Sequence, residues 1–426
     1  MITIFAEKKT ARLDYILQFI FKQVIGSAYQ LIHDVEAFNT NKNFKLNYSS
    51  LPLDADLTIE PHPLLFETKV EAVSIEIVHW RQLPIFFSQS DAIIPFDIFA
   101  AAFYLITRYE EYLPFEADQY HRFPHQFSLA YRHHFLKIPL VDLWIMELEK
   151  EIKAKNSRMV FLPKPYQFLP TYDIDIAYSY LGKGFVRNFG GFWKDILHRK
   201  PKKALERVQV LLGLKNDPFD SFAFLDEMHR KYELTPIYFL LLGKVSALDR
   251  NIEPSHPYMQ ALINTLQVRY AIGIHPSYNS HKGMEILESE MNQIKTNKSR
   301  QHYIRFQLPL TFRNLIKLGI TEDYSMGYGS INGFRASTSY PFFWFDVEKN
   351  ECSPLLLYPF CFMECNSKFE QHDTAKQALD EMKDFERTIK QVRGTFVTIW
   401  HNFSLGSEHV WLPWKEVYAQ FLSQLR

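Results

Sequence analysis

The sequence predicts an α/β protein whose C-terminal part forms a mainly parallel sheet. From residue 166 onward, helical stretches separate most of a series of short apolar runs, and this alternation is typical of parallel strands with helices outside them. Polar residues gather where the runs end, which is where α/β barrels and open α/β sheets place their chemistry. The strand candidates are residues 166–173, 235–242, 269–275, 302–307, 319–324, 355–363 and 395–401, and the clearest helices between them are 222–232, 283–296 and 374–392.

The length of the chain, 426 residues, predicts two domains. We place the boundary near residue 160, with a mixed α/β domain at 1–160 and the sheet-bearing domain at 161–426. In the first of these, apolar spacing predicts helices at 10–25, 96–113 and 141–153. It shows no strong chemical signature, so a lid, a docking surface and a selector of substrate length all remain open.

The balance of charges and the number of cysteines bear on the expected binding partners and on the cellular compartment. Lys+Arg and Asp+Glu number 48 each, which gives no global electrostatic reason to bind nucleic acid or an anionic membrane. The three cysteines imply no disulfide framework and indicate a reducing compartment. The N-terminus lacks a secretory pattern, and the apolar stretch 13–25 carries polar residues at helical spacing. We therefore expect a cytoplasmic protein with no membrane span and no nucleic-acid partner, in which residues 182–220 form a polar and basic linker.

Two carboxylates end the first strand candidate. Asp173 and Asp175 are separated by one residue, and positions i and i+2 of a strand point to the same face, so both can reach one site. Two neighbouring acids do not both ionise readily without a cation or a shared proton. The pair therefore suits one metal-binding carboxylate beside one that handles protons. A solvated Asp-x-Asp turn is the alternative for the pair taken alone.

Histidines end two further strand candidates. His275 follows an apolar run, and a strand end fixes the direction of an imidazole well enough to make it a zinc ligand. Asn279 comes four residues later and can complete a metal site; the rivals for that place are Ser277, Ser280 and His281. His401 ends the last strand candidate, where an imidazole fits a general acid. A structural role in the core is the alternative for both histidines.

The candidate strand 302–307 contains a positively charged side chain. Arg305 lies in its middle, in a run that also contains His302 and ends near Pro309. An arginine aimed at a strand-end carboxylate holds that acid ionised and oriented. An ordinary surface arginine is the alternative, although a surface position is less expected within an apolar strand.

These segments resemble, in order, the motifs of the polysaccharide deacetylases of carbohydrate esterase family 4, over roughly residues 165–405. The similar segments are 171–175 for the Thr-aromatic-Asp motif with a second acid, 235–243 for the Phe-rich strand, His275 for the histidine motif, 305–309 for Arg-x-x-x-Pro, 323–325 for the fourth motif and 399–401 for the closing one. Each motif is weak alone, but the five motifs other than the Phe-rich strand, in order on strand ends, are fairly specific. The N-terminal part resembles the accessory region of a bacterial branch of this family.

The resemblance implies a fold, a reaction and three catalytic roles. The fold is a distorted seven-stranded (β/α) barrel behind an N-terminal mixed α/β domain. The reaction is the metal-dependent hydrolysis of acetyl groups from an N-acetylated (or O-acetylated) carbohydrate. Asp173 is then the base that activates a metal-bound water, Arg305 tethers that base, and His401 is the acid.

The resemblance also implies a cofactor and a substrate surface. Asp175, His275 and Asn279 are the expected ligands of a divalent cation, with Zn²⁺ as the expected ion. The expected substrate-binding residues are Tyr324, Arg335 and Trp400. The oligomeric state is not predicted.

Two departures from the family pattern leave alternatives open. Ile174 separates acids that are adjacent in much of the family, and Asn279 stands where a second histidine is usual. His302 or His281 can substitute for that histidine. The alternative functions are a catalytically inactive deacetylase-like protein that binds carbohydrate, and a hydrolase of another carbon–nitrogen amide bond.

Overall fold

The computed structural model of the protein describes residues 1–89 and 92–425. In this part of the chain the strands form a four-stranded sheet, a nine-stranded sheet and a two-stranded hairpin. The strands are β1 (Ile2–Ala6), β2 (Tyr29–Ile32), β3 (Phe44–Tyr48), β4 (Leu57–Thr58), β5 (Val78–Trp80), β6 (Leu83–Ile85), β7 (Gln167–Ile174), β8 (Ile237–Leu240), β9 (Ala271–Ile274), β10 (Lys298–Ser299), β11 (Glu322–Asp323), β12 (Phe342–Asp346), β13 (Glu351–Leu357), β14 (Phe362–Met363) and β15 (Thr395–His401).

Helices follow most of the strands. They are α1 (Ala11–Leu17), α2 (Val35–Thr40), α3 (Ile98–Ile106), α4 (Leu129–Arg132), α5 (Leu140–Lys155), α6 (Gly184–Leu197), α7 (Pro201–Leu211), α8 (Phe222–Tyr232), α9 (Pro257–Arg269), α10 (Met284–Met291), α11 (Leu310–Lys317), α12 (Ala375–Gln391) and α13 (Leu412–Ser423). A π-helix, Gln18–Ile25, continues α1. Within the described ranges, no helix has both the length and the apolar character needed to cross a bilayer.

The N-terminal region is built on the four-stranded parallel sheet, in the order β2-β1-β3-β4. Every residue of β1 is buried. The helix α3 is apolar on all sides and fully buried, which is the pattern of a helix enclosed by a core. Its first turn is capped by Asp97, whose carboxylate accepts the N–H groups of Phe99 and Ala100, both at 3.0 Å.

The nine-stranded sheet confirms a mixed α/β fold with a largely parallel sheet. Its order is β12-β13-β11-β10-β9-β8-β7-β15-β14, and only the β12–β13 pair is antiparallel. The carboxyl ends of the parallel strands therefore meet at one edge of the sheet. The predicted strands 166–173 and 395–401 correspond to β7 and β15, which are neighbours toward the β14 end of the sheet.

The large sheet has nine strands instead of the predicted seven, because β12 was not among the candidates and residues 355–363 do not form one strand. They contribute to β13 and β14, which pair with β11 and β15 at opposite ends of the sheet. Five residue steps connect Leu357 to Phe362, a span of at most about 18 Å, so the sheet curls until its ends are near each other. Among the described residues, those two ends are not joined by strand pairing.

Two further elements differ from prediction. Residues 302–307 are not a strand, because Tyr303 and Ile304 have φ angles of 59° and 54°, which extended backbone does not allow. The strand is instead Lys298–Ser299, and a 3-10 turn, His302–Ile304, follows it. The predicted linker 182–220 contains the helices α6 and α7.

The N-terminal region and the large sheet share one interior. Arg335, beyond β11, donates to both carboxylate oxygens of Glu111 at 2.8 and 2.6 Å, and both side chains are buried. Asp142 of α5 accepts hydrogen bonds from Thr338 and Ser339. The hydrophobic core is also continuous across residues from both parts. The packing of the large sheet therefore depends on residues that precede position 160.

Candidate functional site

Two neighbouring parallel strands bring Asp173 and His401 together. β7 and β15 pair in register along their whole length, and Asp173 is the partner of His401. Register partners of a parallel pair point to the same face of the sheet. Asp175 lies one residue beyond β7, so both carboxylates sit at the carboxyl edge of the sheet, as the sequence predicts.

Two further histidines reach Asp175 from adjacent strands. His275 follows β9, and its Nε2 lies 3.1 Å from Asp175 Oδ1. His302 lies in the turn after β10, with Nε2 3.4 Å from Asp175 Oδ2, and His401 Nε2 lies 3.4 Å from the same oxygen. The ligand atoms of Asp175, His275 and His302 all lie within 4.8 Å of one another. One carboxylate therefore faces three imidazole nitrogens.

The Nδ1 atom of each imidazole has a partner of its own. These partners are the carbonyl oxygen of Arg300 at 2.6 Å from His275, a carboxylate oxygen of Asp249 at 2.9 Å from His302, and one of Glu364 at 2.7 Å from His401. Since a carbonyl or a carboxylate only accepts, each Nδ1 carries a proton, and a ring without a second proton presents its Nε2 lone pair to Asp175. Lone pairs that face a carboxylate require protons or a cation between them. Metal-binding histidines are held by outer partners of this kind.

Asp175 and the imidazoles around it shift one another's pKa values. Burial disfavours its ionised form, but His302 and His401 hold the pKa of the carboxyl well below its usual range. Burial likewise opposes a charge on His302, but Asp175 and Asp249 raise the pKa of that imidazole to about 9. Asp175 Oδ1 is buried and accepts no hydrogen bond from the described residues. The donor set therefore fits a divalent cation, which would satisfy this oxygen and take the place of the imidazole protons.

Asp173 is anchored through one oxygen. Arg300 Nη1 donates to Asp173 Oδ1 at 2.8 Å, and the guanidinium lies 4.3 Å from the centre of the Phe239 ring. Both members of the ion pair are buried, and a guanidinium hydrogen bond of this kind fixes the orientation of a carboxylate. The other oxygen, Oδ2, lies 3.8 Å from His275 Nε2. Asp173 therefore presents one carboxylate oxygen to the histidine cluster.

His401 is held in the geometry of a proton donor. Burial opposes its charge, but Cys365, Glu364 and Asp175 raise the pKa of the imidazole well above its ordinary value. Glu364 Oε1 also accepts the backbone N–H of His401 at 2.8 Å, so one carboxylate fixes both the main chain and the ring. A charged imidazole with Nε2 aimed at the cluster can donate a proton there.

A cavity of about 260 Å³ lies over the cluster, and its walls are rich in aromatic rings. Tyr303 comes from the turn that carries His302, and Phe403 follows His401. Tyr120 comes from the N-terminal region and stacks on Tyr303, with ring centroids 5.0 Å apart. Both parts of the chain therefore line the cavity.

Arg305 does not make the predicted contact with Asp173. Its guanidinium donates to the carbonyl oxygen of Tyr278 at 2.7 Å and lies over that ring. Arg300 occupies the predicted position instead, because the strand ends at Ser299 rather than near residue 307. The arginine that follows the strand end directly is the one that reaches the neighbouring carboxylate.

Asn279 does not lie among the candidate metal ligands. It belongs to the 3-10 turn Tyr278–Lys282, its amide donates to Asp249 at 3.3 Å, and it lines a separate cleft. This turn follows the strand by several residues, so the side chain four positions after His275 points away from Asp175. His302, which the sequence left open as a substitute, stands at Asp175 instead. His281, the other substitute, bonds to the carbonyl of Arg305.

The three predicted substrate-binding residues lie in the interior. Tyr324 donates to Glu322 at 2.6 Å, Arg335 binds Glu111, and Trp400 packs on Tyr418, with ring centroids 4.8 Å apart. None of the three lines the cavity over the histidine cluster. Trp400 precedes His401 in a strand, so its side chain points to the opposite face.

Three residues around the cluster were not among the candidates predicted from the sequence. The sequence signal for Arg300 is weak: it precedes His302 by two positions, but the five residues before it are polar. Glu364 and Asp249 carried none: they come from the turns after β14 and β8, and only the folded chain brings them to His401 and His302.

Comparison with known proteins finds a family model for the N-terminal region and a distantly similar solved structure. Residues 2–157 match a family model described as Family of unknown function (DUF7033). No curated protein matches the sequence. A solved structure of a "putative polysaccharide deacetylase" from Mycobacterium smegmatis is similar at 12% identity, with 62% of this chain and 84% of that chain covered and a TM-score of 0.38.

Proposed function

We propose that the protein is a metal-dependent hydrolase that removes acetyl groups from an N-acetylated (or O-acetylated) carbohydrate. The observation that carries the proposal is the convergence of Asp175, His275 and His302 beside a tethered second carboxylate, Asp173. Hydrolysis of an amide needs a base for the attacking water and an acid for the leaving group. Asp173 and His401 supply these two groups on adjacent strands.

The cation would be held by Asp175, His275 and His302. One carboxylate and two imidazoles suit Zn²⁺, which accepts oxygen and nitrogen ligands and leaves a position open in catalytic sites. When bound, such an ion lowers the pKa of water and polarises a carbonyl group. Asp249 fixes the ring of His302, and the backbone of Arg300 fixes the ring of His275.

Asp173 acts as the general base. Its Oδ1 is occupied by Arg300, so Oδ2 takes the proton from the attacking water. The same arginine keeps the carboxylate in one orientation during the reaction. Arg300 is therefore a positioning residue in this proposal, the role that the sequence assigned to Arg305.

His401 acts as the general acid. Its Nε2 proton passes to the leaving amine, and Glu364 stabilises the imidazolium through Nδ1. The aromatic wall formed by Tyr120, Tyr303 and Phe403 offers apolar surface against which a sugar ring can pack. This aromatic wall replaces the substrate surface that the sequence assigned to Tyr324, Arg335 and Trp400.

The direct test is acetate release from acetylated glucosamine oligomers by the zinc-loaded full chain. We expect release by the wild type and a loss of at least about 100-fold in kcat for Asp173→Asn, because the variant keeps the shape and removes the base. Asp226→Asn, at a partly exposed acid outside the cavity, is the matched control and should release acetate at the wild-type rate.

Three results would count against the proposal. Equal acetate release by the Asp173→Asn variant would remove the assigned base. Zinc binding without acetate release, but with hydrolysis of another amide, would support the alternative substrate class. Binding of the oligomers without metal or turnover would support the inactive carbohydrate-binding protein.

A further inference from the structure

The helical hairpin formed by α6 and α7, residues 184–211, exposes its apolar face. On α6 the residues Phe185, Phe189, Trp193 and Leu197 recur every four positions and therefore lie on one stripe. Their exposed fractions are 79%, 52%, 50% and 78%. The rings of Phe185, Phe189 and Trp193 contact one another in sequence along this stripe. A large continuous apolar surface of this kind marks an interaction site.

The α6 helix packs against α7 through polar side chains, whereas α7 buries the apolar residues Ala204 and Val210. Arg207 of α7 donates to Asp195 at 2.8 Å and to Asn188 at 3.2 Å, and both acceptors are on α6. Asn188 is the buried residue of α6. The usual arrangement buries the apolar stripe and exposes the polar face. On α6 the arrangement is reversed, so its apolar stripe is available to an outside partner.

The second helix extends the apolar surface. Leu205, Val208 and Leu212 follow one another at helical spacing and are exposed, as are Leu211 and Leu214. The hairpin is fixed to the body of the protein through buried Asp217, whose carboxylate accepts the N–H groups of residues 179–181 at 2.7 to 3.1 Å. The exposed apolar side chains therefore belong to an anchored element rather than to a loose loop.

The hairpin is also strongly basic. Between residues 183 and 207 the sequence has eight Lys or Arg and two acidic residues, a net charge of +6, whereas the whole chain has a net charge of +0. The turn between the helices carries the exposed residues His198, Arg199 and Lys200, and Lys202 follows on α7. The zero net charge of the whole chain gives no reason to expect an anionic partner. The local positive charge of the hairpin does give one.

We propose that the hairpin 184–211 docks the protein on an anionic lipid surface. An amphipathic helix with Phe, Trp and Leu on one face and Lys or Arg beside them lies in the plane of a bilayer interface, with the apolar face among the lipids. Trp193 at the centre of the stripe suits the headgroup level. A second copy of the chain fits less well, because the hairpin 184–211 has a net charge of +5 and two such hairpins would repel each other.

The hairpin lies near the candidate active site along the chain. α6 follows the carboxyl end of β7, the strand end that carries Asp173 and Asp175. The docking surface and the cavity therefore belong to the same edge of the sheet. Docking does not depend on the proposed hydrolase activity, so it can be tested without a substrate.

The test is flotation of the full chain with two kinds of vesicle: phosphatidylcholine alone, and phosphatidylcholine mixed with phosphatidylglycerol. We expect binding to the phosphatidylglycerol vesicles and much weaker binding to phosphatidylcholine, with the difference reduced by added salt. The double variant Phe189→Ser/Trp193→Ser should lose binding. Val268→Ser, at an 83% exposed valine on α9, is the matched control and should bind like the wild type.

The charge contribution is tested separately. Lys200→Gln/Lys202→Gln should lower the affinity by at least about tenfold, since each basic residue near an anionic surface contributes about fivefold. Lys295→Gln/Lys376→Gln, at exposed lysines on other parts of the surface, should change it little. Lipids brominated in the acyl chain should quench Trp193, and Trp193→Phe should bind with less quenching of the total fluorescence.

Two outcomes would overturn the proposal. One is equal binding of the Phe189→Ser/Trp193→Ser variant and the wild type. The other is no vesicle binding, together with a dimer of the wild type that this variant dissociates, which would make a second copy of the chain the occupant. Circular dichroism of each variant ensures that a loss of binding is not a loss of fold.

Discussion

At the scale of single residues, the structure differs from the sequence-based prediction in which arginine holds Asp173. Arg305 matches the family's Arg-x-x-x-Pro motif, but Arg300 makes the hydrogen bond to Asp173. We predict that Arg300→Gln lowers kcat for acetate release by at least about tenfold, because the base loses the charge that orients it. Arg305→Gln should change kcat by less than about threefold.

Steady-state kinetics and the metal content of both variants check this prediction. Arg300→Gln should retain the cation, since the ring of His275 is held by the backbone carbonyl of Arg300 and not by its side chain. If Arg305→Gln proved the more damaging change, the assignment of the tether would be wrong.

A second prediction at this scale concerns the buried His229, which bonds to the hydroxyl of Tyr172. Burial lowers the pKa of His229 to about 4. Because the pKa is lower in the folded than in the unfolded chain, stability is lost as the pH falls below about 6.5 toward 4. At pH 5 the cost is about 2 kcal/mol relative to neutral pH.

The measurement is urea unfolding at pH 7 and at pH 5 for the wild type and His229→Gln. Glutamine keeps a hydrogen-bonding group toward Tyr172 but does not titrate. The wild type should therefore lose about 2 kcal/mol more than the variant between these two values. Equal losses would show that His229 is not the titrating group.

At the scale of elements, the sequence predicted best where apolar spacing and strong end signals agree. The helix 222–232 and the strand 395–401 were predicted with the bounds that the structure has. Thr374 was placed at the start of a helix and caps α12. Regular local patterns of this kind need no tertiary information.

The failures at this scale have tertiary causes. β10 and β11 are two residues each and carry too little periodicity to locate their ends. Residues 355–363 form one apolar run in the sequence. In the folded chain they belong to two strands near opposite ends of the curled sheet. The segment 182–220 is predicted to be a linker because of its polar and basic character, but it contains the helices α6 and α7. The family pattern makes Asn279 the third ligand and His302 only a substitute; the structure brings His302 to Asp175 because it lies in the turn after β10.

The capping box of α12 gives a prediction for an element. Thr374 accepts the N–H of Gln377, and the Gln377 side chain accepts the N–H of Thr374. Thr374→Ala should lower the free energy of unfolding by about 1 kcal/mol. Thr265→Ala, in the exposed middle of α9, is the control for a threonine that caps nothing and should cost less. Equal effects would remove the capping contribution.

At the scale of the whole molecule, the N-terminal region and the large sheet should unfold together. Buried Glu111 joins them through Arg335, and although burial disfavours its charge, Arg335 and Arg108 hold the pKa of its carboxyl below the ordinary value. Glu111→Ala leaves buried arginines without a counter-charge, and we expect a loss of about 3–5 kcal/mol. Asp384→Ala removes the partner of the exposed Arg387 and should cost less than about 1 kcal/mol.

Unfolding followed by tryptophan fluorescence and by circular dichroism checks this prediction. A single transition that moves with Glu111→Ala in both signals would support one cooperative unit. Two separate transitions, with only one of them shifted, would show that residues before and after position 160 unfold independently.

The central claim is that Asp175, His275 and His302 bind one divalent cation, and its most direct test is the zinc stoichiometry of the purified full chain after loading and dialysis. The account predicts about one zinc per wild-type chain, a strong loss in His302→Ala, and near-wild-type binding in Asn279→Ala, because Asn279 lines a different cleft. Zinc retained by His302→Ala and lost by Asn279→Ala would contradict it.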